Sequence, residues 1–162
     1  LKNKYSLYLK KINISCVAKT YIPISEIYAQ YNYDRFKKWK SLYRKSERDI
    51  LNMRLSPHYD FLQRYEKEKD ALVVSATRYY KMHILYGKKK KWIRSKVSNF
   101  ISLYQYMKEN NEVGLPIILT SPIAKNKYNR GYEIYEGHHR VSILRFLNKE
   151  KIKVELSKWR ET

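Results

Sequence analysis

The sequence predicts an α+β fold, a small mixed sheet with a mainly helical middle segment. Three observations carry this. Ile12, Ile14 and Cys16 alternate with Lys11, Asn13 and Ser15, the period of a half-buried strand. The middle of the chain repeats apolar side chains at spacings of three and four, the period of a helix packed on one face. The last third reads strand, loop, strand, glycine turn, helix, strand.

The elements follow in order. Residues 1–24 read as extended, with Pro23 ending the first strand. Ser25 to Arg54 places Tyr28, Tyr31, Phe36, Trp39 and Leu42 or Tyr43 on an imperfect stripe, read as one broken helix or two short ones. Ser56-Pro57-His58-Tyr59-Asp60 has the order of a helix start: Ser as N-cap, Pro in the first helical position, a carboxylate in the first turn. Its apolar face is read as Tyr59, Leu62 and Tyr65. A second helix is expected from Asp70 to Tyr86, stopped by Gly87. A third, Lys96 to Glu109, aligns Val97, Phe100, Ile101, Tyr104 and Met107. Leu115 to Thr120 is short and rich in branched residues, a buried strand. Ser121 to Gly131 is a polar loop, Tyr132 to Glu136 a strand, Gly137 a turn, and Val141 to Leu147 a short helix. Ile152, Val154 and Leu156 alternate with charged residues in a one-sided final strand.

Length and composition bound the rest. A chain of 162 residues is read as a single domain over 1–162, with 25–110 an insertion or elaboration. A hydrophobic fraction of 43%, with 17 Tyr, 3 Trp and 4 Phe, supplies a core and argues against a disordered chain. One cysteine, Cys16, permits no internal disulfide and no Cys-based zinc site, so a reducing, cytoplasmic setting is expected. No run approaches the roughly 20 apolar residues of a membrane span, and the opening residues lack the apolar core of a signal peptide. Because the sequence opens on Leu1 rather than Met, its N-terminal boundary is left open.

Lys and Arg number 35 against 15 Asp and Glu, a formal charge of +20. A surplus of this size draws polyanions. Two clusters stand out: Arg35, Lys37, Lys38, Lys40, Arg44, Lys45 and Arg48, then Arg78, Lys81, Lys88 to Lys91, Arg94 and Lys96. Lys outnumbers Arg 24 to 11, whereas base readout favours the planar fork of Arg. A solvated basic surface therefore ranks above a dedicated nucleic-acid face.

Chemistry concentrates at Glu136-Gly137-His138-His139-Arg140. A strand that ends in glycine and feeds a helix leaves backbone N–H groups aimed at one spot, an anion site. Gly137 admits close approach of a phosphate, and Arg140 can fork onto two of its oxygens. His138 or His139 can bond phosphate or pass a proton. Glu136 can hold a divalent cation or act as a base. A glycine before a short helix is ordinary by itself; five such groups at one corner favour function.

Tyr132-Glu-Ile-Tyr-Glu-Gly-His-His-Arg-Val-Ser-Ile-Leu-Arg-Phe-Leu, then Lys151-Ile-Lys-Val-Glu-Leu, resembles the box of the ParB/sulfiredoxin-like superfamily. Leu115-Pro-Ile-Ile-Leu is similar to the strand that precedes that box. The likeness covers roughly residues 113–157. Fold alone does not set function within such a group, so its branches are compared by residue. Sulfiredoxins carry a reactive Cys after the box glycine, where this chain has His138. Partition ParB proteins bind CTP through a Gly-Glu-Arg-Arg type box and read DNA with a following helix-turn-helix; here the box is Gly-His-His-Arg and few residues follow the last strand. The free-serine kinase branch carries acid-Gly-His-His-Arg, which Glu136 to Arg140 resembles with Glu in place of Asp. That likeness implies Glu26 as a base on a substrate hydroxyl; an exposed carboxylate at a helix start is an equal reading of Glu26.

The resemblance implies a nucleotide-binding enzyme that transfers or hydrolyses a phosphoryl group. Its ligands would be ATP, ADP or CTP with Mg²⁺ and a small hydroxylated acceptor. Glu136 would hold the metal, and Glu136, His138, His139 and Glu26 would serve catalysis. Gly137, His138, His139 and Arg140 would bind phosphate. The alternative is a nucleic-acid-binding ParB-like protein, with or without nuclease activity, whose Tyr and Trp stack on bases. A third reading keeps the fold without the chemistry.

Overall fold

The computed structural model describes residues 14–28, 33–110, 117–120 and 131–159. Five strands form one mixed sheet in the order β1-β5-β3-β4-β2. They are β1 (Ile14–Pro23), β2 (Ile27–Tyr28), β3 (Ile118–Thr120), β4 (Tyr132–Glu136) and β5 (Lys151–Trp159). The helices are α1 (Tyr33–Trp39), α2 (Glu47–Asn52), α3 (Pro57–Glu68), α4 (Arg78–Leu85), α5 (Lys90–Asn110) and α6 (His138–Phe146). The α+β expectation holds.

β5 runs antiparallel to β1, pairing Ile22 with Ile152 and Thr20 with Val154, and parallel to β3. β4 completes the centre antiparallel to β3. Ile117 to Thr120 are buried throughout, as the apolar run predicts. Along β5, Glu155 and Ser157 are buried as well as Ile152 and Val154. The final strand is therefore covered on both faces over part of its length. Neighbours on either side make this an interior strand, which a one-sided pattern does not anticipate.

The helix start at Ser56 is as expected: Ser56 Oγ accepts the Tyr59 N–H at 3.1 Å, with Pro57 in the first turn. The buried face of α3 is rotated from the expected one. It is His58, Phe61 and Leu62, with Tyr59 and Tyr65 only half-buried. The Asp70–Tyr86 helix is shorter than expected. Two 3₁₀ turns, Lys69–Ala71 and Val74–Ala76, precede α4. Val73 is extended between them, and Thr77 caps α4 by accepting the Tyr80 N–H at 3.2 Å. A β-branched pair followed by a Ser/Thr cap disfavours one continuous helix. Gly87 does follow α4 with φ +74°. α5 begins at Lys90, six residues before the expected start, which adds Ile93 to the buried stripe of Val97, Phe100, Tyr104 and Met107.

In 25–54 the expected short helices appear as α1 and α2, joined through a 3₁₀ turn at Lys40–Leu42. The two-residue strand β2, parallel to β4, was not expected. Arg145 of α6 holds that segment, donating from Nη2 to the Ile27 and Ile24 carbonyls at 2.5 and 3.3 Å. Ile12, and the greater part of the Ser121–Gly131 loop, lie outside the described residues.

A continuous apolar core joins sheet and helices. Phe36, Ile50, Phe61, Tyr79, Ile93 and Phe100 pack with Ile27, Leu119, Ile134, Val141, Ile143 and Val154. Each such side chain contributes about 1.5–3 kcal/mol by leaving water. The helical segment thus braces the strand-glycine-helix corner directly: Phe100 meets the His139 ring edge-on at 4.6 Å. No helix among the described residues is long and apolar enough to cross a membrane.

Candidate functional site

β4 ends at Glu136, and Gly137 is the N-cap of α6 with φ +106° and ψ +28°, a conformation that L side chains rarely adopt. A Cβ there would lie 3.1 Å from Ile117 Cγ1 and 3.3 Å from Arg140 Nη2. The guanidinium of Arg140 is therefore folded back against the glycine that starts its own helix. Arg140 is 8% exposed, and its Nη2 stands 4.0 Å from Glu136 Oε1. With no side chain on Gly137, the cap offers the first-turn N–H groups no side-chain oxygen. The positive end of α6 thus faces the corner without a built-in acceptor from the cap.

This corner forms part of a cleft of about 480 Å³. All four histidines of the chain line it, although they come from α3 (His58), α4 (His83) and α6 (His138, His139). His58 meets His139 edge-on at 4.6 Å and stacks on His138 at 5.7 Å. His139 Nε2 is 2.7 Å from Tyr79 Oη. That bond forms in either tautomer: the phenol donates when the ring proton is on Nδ1 and accepts when it is on Nε2. Burial holds the Tyr79 phenol protonated, well above its ordinary range.

Burial keeps three of the imidazoles, those of His58, His83 and His139, neutral. It pushes His139 down to about 3, with His138, Lys96, His83 and Arg140 adding repulsion. His58 falls well below the ordinary value, first through burial and then through His139, His138 and His83. His83 falls to about 4 through burial, then Lys96, Lys88 and Arg35. Arg35, Lys88, Lys96 and Arg140 line the cleft against a single described carboxylate, Glu136. The result is a group of three neutral imidazoles inside a cationic frame, which an anion would stabilise.

Of the six site residues expected from the sequence, Glu136, Gly137, His138, His139 and Arg140 are brought together here. Glu26 is not. It ends the 3₁₀ turn Ile24–Glu26, is exposed, and is absent from the described lining of the cleft. The residues that sequence reasoning missed are His58, His83 and Tyr79. The scarcity of histidine was the available clue, since only four occur and two stand in the box. The two basic clusters do send members here, Arg35 from the first and Lys88 and Lys96 from the second.

The fit to Mg²⁺ is narrow. Among the described residues no group of three or more His, Cys, Asp or Glu is arranged to hold a metal ion. Mg²⁺ commonly takes one or two carboxylates and completes its shell with water and substrate phosphate, so Glu136 alone would suffice only for an ion that arrives with a polyphosphate. No family model matches this chain, and no curated protein or solved structure does.

Proposed function

We propose that this chain is a ParB/sulfiredoxin-like protein that binds a nucleoside di- or triphosphate in the cleft and transfers or hydrolyses its terminal phosphoryl group. One observation carries the reading. Two helix starts, Ser56-Pro57-His58 of α3 and Gly137-His138-His139 of α6, open on one cleft lined by four permanent cations and one described carboxylate. Helix N-termini and fixed cations stabilise phosphoryl oxygens as charge shifts among them. The likeness of Glu136 to Arg140 to the acid-Gly-His-His-Arg box supports the same reading.

In this mechanism Arg140 and the first-turn N–H groups of α6 bind phosphoryl oxygens. Gly137 leaves room for them, and Lys96 adds charge from α5. His138 is the proton carrier, and His139, held neutral with its ring fixed by Tyr79, is a hydrogen-bonding group of the corner. Glu136 is the carboxylate beside the phosphate, and Mg²⁺ bound to the nucleotide would supply further charge neutralisation there. Glu26 takes no part in this geometry.

The test is a thermal-shift titration of the full chain with ATP, ADP, CTP and GTP, with and without Mg²⁺, repeated on Arg140→Ala. A ligand that binds only the folded state raises the melting temperature. The expected result is a rise for at least one nucleotide that Arg140→Ala abolishes. Phosphate release or transfer to a panel of hydroxylated acceptors then follows with that nucleotide. No shift with any nucleotide, in a folded chain, refutes the reading.

A second reading, single-stranded nucleic acid, is favoured by Trp92, 38% exposed beside the exposed run Lys88 to Lys91 and Arg94. Stacking on an aromatic flanked by cations is how such strands are held. Its signature is an affinity that falls steeply with salt.

A further inference from the structure

The Gly137 corner leaves the buried His83 of the cleft unused and out of contact with its two histidines. His83 is 7% exposed, and neither of its ring nitrogens has a hydrogen-bond partner among the described residues. A neutral imidazole carries one donor and one acceptor, and folded proteins rarely leave buried groups of this kind unpaired. The ring is enclosed instead by aromatic side chains: Tyr79 at 4.7 Å, Trp92 at 5.2 Å and Tyr86 at 5.9 Å, all edge-on.

Charge surrounds this position. Lys96, Lys88 and Arg35 all act on His83 electrostatically, and all three line the same cleft. Lys88 and Lys96 hold their ammonium groups over the Trp92 ring, 5.0 and 5.3 Å from its centre. Trp92 itself is partly exposed, so the cover over His83 reaches the surface. Lys90 and Lys91 open the 21-residue α5, whose first turn contains no acid, so the helix dipole adds to the same positive field. The one described carboxylate of the cleft, Glu136, belongs to the Gly137 corner.

We propose that His83, with Lys88, Lys96 and Arg35 around it and Trp92 as a movable cover, forms a second anion subsite that takes a phosphate group. Entry displaces the Trp92 ring. The phosphate then gives His83 its missing partner and exchanges two cation-to-ring contacts for two ion pairs. Tyr79 touches both subsites, with its hydroxyl on His139 and its ring against His83. The subsite does not depend on the nucleotide reading, because nothing in its argument uses Gly137 or Arg140.

The test uses the full chain with inorganic phosphate as probe, read by long-range ¹H–¹⁵N spectra of the four imidazoles, with His83→Gln assigning the His83 signals. We expect those signals to shift with phosphate and the His83 protonation midpoint to rise by about one unit or more, as a bound anion favours the charged ring. Trp emission changes over the same titration. Arg140→Ala retains these responses. The double variant Lys88→Ala/Lys96→Ala, whose positions lie outside the core, weakens them by about a hundredfold or more, the scale of two lost charge-assisted bonds.

His83 signals that stay still while phosphate saturates the Gly137 corner overturn the proposal. So do signals that respond in the native chain but not in Arg140→Ala, since both regions would then form one site. Adenosine 3′,5′-bisphosphate, compared with adenosine monophosphate plus inorganic phosphate, identifies the source. Saturation of both regions by the bisphosphate alone means that one ligand bridges them; a requirement for added phosphate means that a separate molecule fills the second. If no nucleotide binds and the His83 response to phosphate persists, only the nucleotide reading fails.

Discussion

Replacing Gly137 with alanine tests the corner on which the site is built, and Gly87→Ala supplies its control. Both glycines have positive φ, +106° and +74°. At Gly87 an added methyl meets nothing within 4 Å, so the cost is the left-handed backbone alone, about 1–2 kcal/mol. At Gly137 the backbone cost is about 1–3 kcal/mol, and the methyl also approaches Ile117 at 3.1 Å and the Arg140 guanidinium at 3.3 and 3.5 Å. Ile117 is fully buried and cannot retreat, so Arg140 must move. Loss of one charge-assisted bond to phosphate is about 1.5–3 kcal/mol, roughly a tenfold to hundredfold fall in affinity. Urea unfolding of both variants gives the stability terms, and calorimetric titration with the nucleotide that shifts the native chain gives the affinity. We expect Gly137→Ala to be the more destabilising of the two and the only one to lose affinity. Equal, mild destabilisation with unchanged affinity would refute the argument that the glycine and the buried arginine form one device.

The other predictions concern the support of the cleft. His83 has a folded pKa near 4 against about 6.5 unfolded, so the unfolded chain takes up this proton first. Its contribution is complete above about pH 6.5 and falls by up to about 3 kcal/mol as pH drops toward 4. His139, lowered to about 3, acts in the same direction, and urea midpoints measured between about pH 7 and 4.5 should decrease on acidification. Tyr79→Phe keeps the ring packing but leaves half-buried His139 Nε2 without its 2.7 Å partner, a loss of about 0.5–1.5 kcal/mol readable by denaturant titration. Thr77→Ala removes the cap of α4 and its own bond to the Val74 carbonyl at 2.7 Å, which should lower stability by about 1 kcal/mol. Phe100→Ala empties the space between Phe61, Tyr79 and His139 and should destabilise by about 3–5 kcal/mol.

How much of this was legible depends on the range of the interactions involved. The strand, glycine and helix from Tyr132 to Phe146 were readable because each is set by neighbours a few residues away. The Ser56 cap was readable for the same reason. The rotated face of α3 was not, since choosing Phe61 over Tyr59 depends on Tyr79 and Phe100 arriving from other helices. β2 exists only by pairing with β4, more than a hundred residues away, and two residues carry no period. The five residues of the box line one cleft together because they are contiguous. His58 and His83 were missed because a lone histidine on a helix looks the same whether or not the fold directs it to a common cleft. Glu26 shows the converse: proximity to the first strand in sequence did not bring it to the cleft.

The position of β5 bears on how the molecule is made. The last described strand lies inside the sheet, between β1 and β3, so both of those strands lack a neighbour until residues 151–159 have left the ribosome. β1 is synthesised well over a hundred residues before its partner, and their pairing closes a loop of that length. During translation its open edge, and that of β3, are candidates for pairing with other nascent chains. The helices from Pro57 to Asn110 can form locally in that interval, but the sheet beneath them is completed only once β5 has emerged. Chaperone dependence should therefore fall on the interval before β5 emerges, and a stalled chain lacking β5 should be the aggregating species.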